Sequence, residues 1–274
     1  MIEPTAAVHA ERGAPGPRPL WRSVAVPSEH GGWGLTFEAV LLGLLVRPSA
    51  GGVAIGVAAF AAFLARTPLK LAVVDRRRHR RLARSALAER IAGLELAVLL
   101  VAIAVAALTA HRWWWVPLTA AVPFFTVELA FDIRSRSRRL VPELSGAMGM
   151  GAVASAIALA GGLRPALAAG LWVVLAARAI GSVPFARTQV RRLRRQVDHR
   201  RLADACQGAA VAVVLAGWAL GWVLWSGAVA VGVLAGWNLL ALRLRVHSAK
   251  RVGVLQLMAG LTVVAATAAG VRLA

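Results

Sequence analysis

Long apolar stretches, each close to the length needed to cross a bilayer, follow one another along most of the chain. A hydrocarbon core of about 30 Å requires roughly 20 apolar residues in a helix. Windows of this kind, separated by charged residues or by Gly and Pro, lie approximately at 33–47, 51–68, 89–110, 114–132, 142–162, 166–185, 204–221, 223–242 and 252–271. The pattern predicts an all-α, polytopic transmembrane helical bundle with about nine spans.

The composition agrees with this prediction. Hydrophobic residues make up 59% of the 274 residues and the mean hydropathy is +0.68, which excludes an ordinary soluble enzyme. The single cysteine, Cys206, excludes internal disulfides and multi-cysteine metal sites. Residues 1–20 contain four prolines and no apolar core, so they do not resemble a secretory signal. We expect a disordered cytoplasmic tail over residues 1–26 and a single transmembrane domain over 27–274.

The net charge of +20 is distributed unevenly between the two sides of the bundle. Of the 32 Lys and Arg residues, 28 fall in the tail or in alternate loops, with the largest groups at 66–90 and 178–201. By the positive-inside rule this places the N-terminus in the cytoplasm and the C-terminus outside, as in a multi-pass protein of the cell membrane. The basic runs at 75–81 and 191–195 are therefore interpreted as loops that touch anionic membrane lipids, and no nucleic-acid partner is expected.

Two of the basic loops resemble each other in sequence. Ala65–Lys70 returns in altered form as Ala186–Arg191, and the pentapeptide His79–Ala83 returns unchanged as His199–Ala203. Between them, Val74-Asp75 matches Val197-Asp198. The matches follow in order at equivalent loops, which predicts an internal duplication with four helices in each parallel repeat and one additional helix.

Ionisable residues inside apolar spans are the first candidates for function, because each is costly unless it faces a cavity or a partner. The candidates are Glu38, Glu95, Glu128 and Glu143. All four are predicted within about two turns of the cytoplasmic end, which indicates one cavity open to the cytoplasm. In the alternative interpretation, each carboxylate pairs with a loop arginine and holds helices together. Glu128 and Asp132 share one helix face and could also hold a cation.

Two pairs of cations repeat at the inner ends of the second and sixth spans. Arg66 and Lys70 are four residues apart, and so are Arg187 and Arg191, so each pair lies on one helix face. If the pairs face each other, they form an anion clamp suited to phosphate. Contact with lipid headgroups is the alternative.

The stretch before the first span offers a candidate acid/base pair, Glu29 and His30, among glycines that allow close backbone approach. A helix entry with a Trp anchor would give the same pattern. Pro27–Trp33 resembles the "P-x-E-H-G-A-W" opening of the YwiC-like family of bacterial membrane proteins. Similar features are Arg66–Leu69, Pro142–Ala147, Arg178–Pro184 with the following Arg187, and Lys250–Gly253. The sequence departs from the family at Gly32, where Ala is usual, and at Gln256, near an acid in many members. The resemblance implies no established activity.

The expected architecture also resembles the UbiA family of intramembrane prenyltransferases. In that family, the two related loops carry Asp-rich motifs that bind Mg²⁺ and, through it, a polyprenyl diphosphate. The loops here offer one aspartate each, Asp75 and Asp198, and neither motif is intact. The resemblance implies these two residues as further ligand-binding candidates. We expect no metal or other cofactor, and any transfer reaction would rely on Glu29, His30 or Glu143 as the base.

Together these observations predict a UbiA-like membrane protein with a cytoplasm-facing cavity that binds a polyprenyl-diphosphate or quinone-like lipid. Arg66, Lys70, Arg187 and Arg191 would meet its headgroup. A transporter, or an accessory protein that binds a partner in the same fold, is the alternative. The scarcity of polar residues in the last three spans disfavours ion conduction.

Overall fold

The computed structural model describes residues 20–25, 30–77, 79, 82–111, 113–134, 139–195, 199–244 and 248–274. This part of the chain forms ten helices and no strand. The helices are α1 (Leu20–Ala25), α2 (His30–Val46), α3 (Ala50–Arg77), α4 (Ala83–Thr109), α5 (Val116–Ile133), α6 (Leu140–Ala160), α7 (Pro165–Leu193), α8 (Arg200–Ala219), α9 (Trp225–Arg243) and α10 (Ala249–Leu273). The predicted all-α helical bundle is confirmed.

The predicted spans correspond to α2 through α10. Eight helices, α3 to α10, are long and apolar enough to cross a membrane, and α2 is apolar but shorter over Gly31–Val46. The chain is therefore a multi-pass integral membrane protein. Leu20–Ala25, which the sequence analysis placed in a disordered tail, forms the short helix α1. It packs against α3 and α4 and buries Val24.

Several helices extend beyond their apolar windows at one end of the bundle. α3 continues nine residues past the predicted end, to Arg77, and α7 continues to Leu193. An apolar window measures bilayer depth, whereas a helix continues into the polar phase for as long as residues such as Arg and Leu favour it. We call this end the basic end, because the last turns of α3 and α7 carry Arg76 and Arg77, and Arg191 and Arg192.

At the opposite end, the loops between helices meet. The Nε of Arg47, after α2, donates to the carbonyl of Gly161, after α6, at 3.2 Å. The backbone N–H of His111, after α4, donates to the carbonyl of Ala160 at 3.1 Å. Successive helices therefore run in alternate directions between the two ends. Which end faces the cytoplasm stays a prediction of the positive-inside rule.

Two of the connections at this end use glycine to stop a helix. Gly162 follows α6 at φ +81° and Gly221 follows α8 at φ +71°. In both cases the next residue, Leu163 or Trp222, donates its N–H to the carbonyl five residues earlier. This is the Schellman arrangement, which requires a left-handed residue that glycine adopts without strain.

The centre of the bundle lies at α6 and α7. Of their most apolar segments, 67% and 61% of the residues are buried, against 17% in α4 and in α5. The main core joins α2, α6, α7 and α10 through large side chains such as Leu42, Ile157, Leu171 and Val264. α4 and α5 therefore lie at the membrane-facing rim.

The predicted duplication has a counterpart in the backbone. α3 and α7 each end in a basic turn, and two residues beyond each end stands a left-handed residue, His79 at φ 51° and Arg195 at φ 52°. The following helix then packs back on its predecessor, α4 on α3 and α8 on α7. The same succession in both halves supports the duplication.

Candidate functional site

At the basic end, two cations of α3 meet two carboxylates of α5. Arg66 Nη1 lies 2.5 Å from Glu128 Oε1, and Lys70 Nζ lies 2.5 Å from Asp132 Oδ1. Arg66 Nε also approaches Asp132 Oδ2 at 3.8 Å. Both the bases and the acids are four residues apart, so each pair lies on one face of its helix and the two ion pairs stack along the helices.

A third ion pair joins α7 to the first turn of α6. Arg187 Nη1 lies 2.7 Å from Glu143 Oε2. One turn later on α6, Gly146 makes room for the Glu128 carboxylate, since a Cβ there would lie 2.5 Å from Glu128 Oε2. Arg66 and Arg187 therefore both reach the first two turns of α6 through their carboxylate partners. We call this group the basic-end cluster; it consists of Arg66, Lys70, Glu128, Asp132, Glu143 and Arg187.

Three of the four predicted clamp residues, Arg66, Lys70 and Arg187, thus have carboxylates as their partners. In the α3–α5 pairs, the side chains of the bases are more exposed, 31% for Arg66 and 46% for Lys70, than that of Asp132, at 9%. Arg191 lies one turn beyond Arg187, is half-buried, and forms no ion pair with any described residue. The pairing of intramembrane acids with bases, the alternative for Glu128 and Glu143, is what the structure shows.

The remaining predicted site residues lie elsewhere. Asp75 is buried and accepts hydrogen bonds from Arg84 Nη2 at 3.1 Å and Ser85 Oγ at 2.8 Å, which joins α3 to α4. Asp198 and Glu29 lie outside the described residues. His30 begins α2, and its side chain also lies outside the description. Within the described part of the chain, no group of three His, Cys, Asp or Glu residues could hold a metal ion.

A fourth ion pair lies inside the bundle. Arg178 Nη2 is 2.6 Å from Glu38 Oε1 and also donates to the carbonyl of Gln256 at 3.0 Å. Glu38 is 1% exposed and Arg178 is 6% exposed. Gly260 of α10 creates the space, because a Cβ there would overlap both charged groups. The pair ties α2 to α7 and α10.

The predicted placement of Arg178 in the cytoplasmic basic stretch 178–201 is wrong. Arg178 lies in the middle of α7, where Glu38 compensates its charge. The signal was available, because Arg178 falls inside the apolar window 166–185.

Three amides form a buried hydrogen-bonded chain across the last four helices. Gln207 Nε2 donates to the Gly181 carbonyl at 2.8 Å, Asn238 Nδ2 to Gln207 Oε1 at 3.4 Å, and Gln256 Nε2 to Asn238 Oδ1 at 2.9 Å. Apolar layers close this chain on both sides. Toward the basic end these are Phe185, Ala203, Leu242 and Val252, and toward the opposite end Val174, Val214, Val231 and Val263. Gln207 is not among the predicted site residues, although it lies within the apolar window 204–221.

Glu95 of α4 belongs to neither polar group. It lines an apolar groove between α2, α3 and α4. It lies 12 residues from the start of α4, about 18 Å along the helix axis. The start of α4 does not mark the bilayer surface, so the predicted depth of Glu95 stays a prediction.

The comparisons with known proteins concern mainly the first half of the chain, which contains α2 to α5 and nearly all of α6. Residues 26–158 match the family model of the YwiC-like proteins. This confirms the resemblance seen in the opening motif. The YwiC-like segment contributes Arg66, Lys70, Glu128, Asp132 and Glu143 to the basic-end cluster, whereas Arg187 lies beyond it. No curated protein and no solved structure matches the chain.

Proposed function

We propose that this integral membrane protein binds a lipid with an anionic headgroup, of the polyprenyl-diphosphate type, at the basic-end cluster. The observation that carries the proposal is that Arg66 of α3 and Arg187 of α7 each bind a carboxylate located at the first two turns of α6. Guanidinium groups bind phosphate through paired hydrogen bonds, so two of them at one place suit a diphosphate.

The exposure of the charged groups supports exchange of a lipid headgroup at the α3–α5 pairs. Arg66 and Lys70 are partly exposed, while Asp132 lies deeper. A phosphate arriving from the membrane surface can thus take over part of the hydrogen bonding of the cations without entering the core. The carboxylates position the bases before the headgroup arrives, which reduces the conformational entropy lost on binding.

The packing of the rim helices supports a place for the apolar tail. α3 and α5 both pack against α6, but they do not pack against each other along their lengths. Ion pairs at the basic end bridge the gap between them. The proposed place of the isoprenoid chain is therefore between α3 and α5, beside α6.

Binding of farnesyl diphosphate to the purified protein in detergent tests the proposal, with farnesol and a short-chain quinone as matched ligands of different headgroup. The diphosphate should bind at least tenfold more tightly than farnesol. Replacing Arg66 and Arg187 with Gln should weaken its binding about tenfold or more, because a charge-assisted hydrogen bond contributes about 1.5–3 kcal/mol.

The control variant is Arg164→Gln, which removes an exposed cation at the opposite end. It should leave binding unchanged. A second variant, Arg66→Gln with Glu128→Gln, removes both members of one ion pair and leaves the net charge of the cluster unchanged. Equal affinities for diphosphate and alcohol, or diphosphate binding that survives the loss of both arginines, would overturn the proposal.

A further inference from the structure

A second membrane-facing site lies on the other side of α3. An apolar groove of about 450 Å³ runs between α2, α3 and α4. Its lining consists of aliphatic side chains, the ring of Phe60 and a single ionisable residue, Glu95. A volume of this size is in the range of sites for small ligands, which are mostly apolar with few polar groups.

The other three acids predicted inside apolar spans each pair with an arginine, whereas Glu95 forms no ion pair with a described residue. Its Oε2 is buried and has no hydrogen-bond partner among the described residues. On its own helix face, the positions three and four residues away are occupied by Ile91, Ala92, Val98 and Leu99. Glu38, in the middle of α2, has Arg178 as its partner. An acid near the middle of a span is costly, so its retention without a partner indicates a ligand.

The groove and the basic-end cluster lie on different faces of α3. Val53, Val57, Phe60 and Leu64 line the groove and recur at helical spacing. Arg66 follows Leu64 by two residues, about 200° around the helix axis. The two sites therefore face opposite ways and can be tested separately.

We infer that this groove binds a compact, membrane-soluble molecule with an apolar body and one hydrogen-bond donor, a hydroxyl or an amine, which meets Glu95. The apolar lining accommodates the body of the molecule. The carboxyl group accepts the hydrogen bond, which satisfies the buried oxygen. An anionic molecule is excluded, since it would meet a carboxylate with no cation beside it among the described residues.

Photoaffinity labelling in detergent tests this inference with three diazirine-bearing probes of one skeleton: an alkylphenol, its methyl ether and the corresponding carboxylic acid. The phenol should label the segments 53–64 and 94–98 at least fivefold more strongly than the ether or the acid. Glu95→Leu should reduce labelling by the phenol to the level of the ether. Glu95→Gln, which keeps a hydrogen-bond acceptor, should retain labelling within about twofold.

A steric variant and its control locate the site. Val57→Trp fills the groove and should abolish specific labelling, whereas Val229→Trp adds the same bulk to an exposed position on α9 and should not. Each variant must elute as a single species in size-exclusion chromatography. Equal labelling by phenol and ether, or full labelling of Glu95→Leu, would overturn the inference. Labelling that survives in the Arg66→Gln, Arg187→Gln protein would separate this site from the basic-end cluster.

Discussion

The two halves of the bundle use polar residues in different places. In the half formed by α2 to α6, charged pairs lie at the basic end, and the rim helices α4 and α5 remain largely open to the membrane. In the half formed by α7 to α10, uncharged amides lie inside, between two apolar layers. Ion pairs at one end hold helices together only at that end, whereas interior amides join neighbouring helices along the middle of the bundle. The first half is therefore suited to binding, and the second to holding the structure together.

The ion pair Glu38–Arg178 joins these halves and should give the largest effect. Arg178→Met leaves the Glu38 carboxylate buried without its partner, which typically costs about 3–5 kcal/mol. We expect the midpoint of thermal unfolding in detergent to fall well below that of the natural protein. The double change Glu38→Gln, Arg178→Met should recover part of the loss. Arg243→Gln, which breaks the exposed pair with Asp204, is the matched control and should cost at most about 1 kcal/mol. An Arg178→Met protein as stable as this control would show that the buried pair does not hold the halves together.

The amide chain of the second half should give an intermediate effect. Asn238→Leu removes the central amide and leaves polar atoms of Gln207 and Gln256 without partners. Measured interhelical hydrogen bonds in membranes contribute about 0.6–1.7 kcal/mol, so a destabilisation of about 1–2 kcal/mol is expected in denaturant titrations followed by helicity. Changing all three amides to Leu should restore stability relative to the single variant. If the triple variant is the least stable of the series, the amides stabilise as individual contacts and the interpretation as one chain fails.

The smallest loss of stability is expected when the most exposed residue of the α3–α5 ion pairs, Lys70, is replaced. Lys70 has a side chain that is 46% exposed, so Lys70→Gln should change stability by at most about 1 kcal/mol. The same change should weaken farnesyl diphosphate binding severalfold, because Lys70 lies beside the proposed headgroup position. Parallel measurements of thermal midpoint and binding affinity separate the two effects. If Lys70→Gln strongly lowers stability and leaves binding unchanged, the ion pairs of the first half hold the structure together and do not bind the ligand.

The sequence predicted the spans and the basic loops because both depend on local composition. Hydropathy reports which residues enter the bilayer, and each apolar window did contain a helix. It does not report partners. Arg66 and Glu128 are 62 residues apart, as are Lys70 and Asp132, so their contact depends on how α3 and α5 are arranged around α6.

Buried polar residues were harder to interpret than exposed ones. Arg178 was assigned to a loop because a positive charge was expected outside the bilayer, and the compensating Glu38 lies 140 residues away. A single amide such as Gln207 hardly lowers the hydropathy of its window, so local composition does not single it out. Its role becomes visible only when Asn238 and Gln256 are brought beside it by three different helices.

The equal sequence separation of the two α3–α5 ion pairs has a mechanical consequence. α3 and α5 run in the same direction, so the two ion pairs fix the position of α5 along α3. A shift of α5 toward the basic end by one helical turn, about 5.4 Å, would place Glu128 beside Lys70. Arg66 would then lose Glu128, and Asp132 would lose Lys70. The shifted position of α5 thus keeps one ion pair where the native position has two. The native position is therefore favoured by one ion pair.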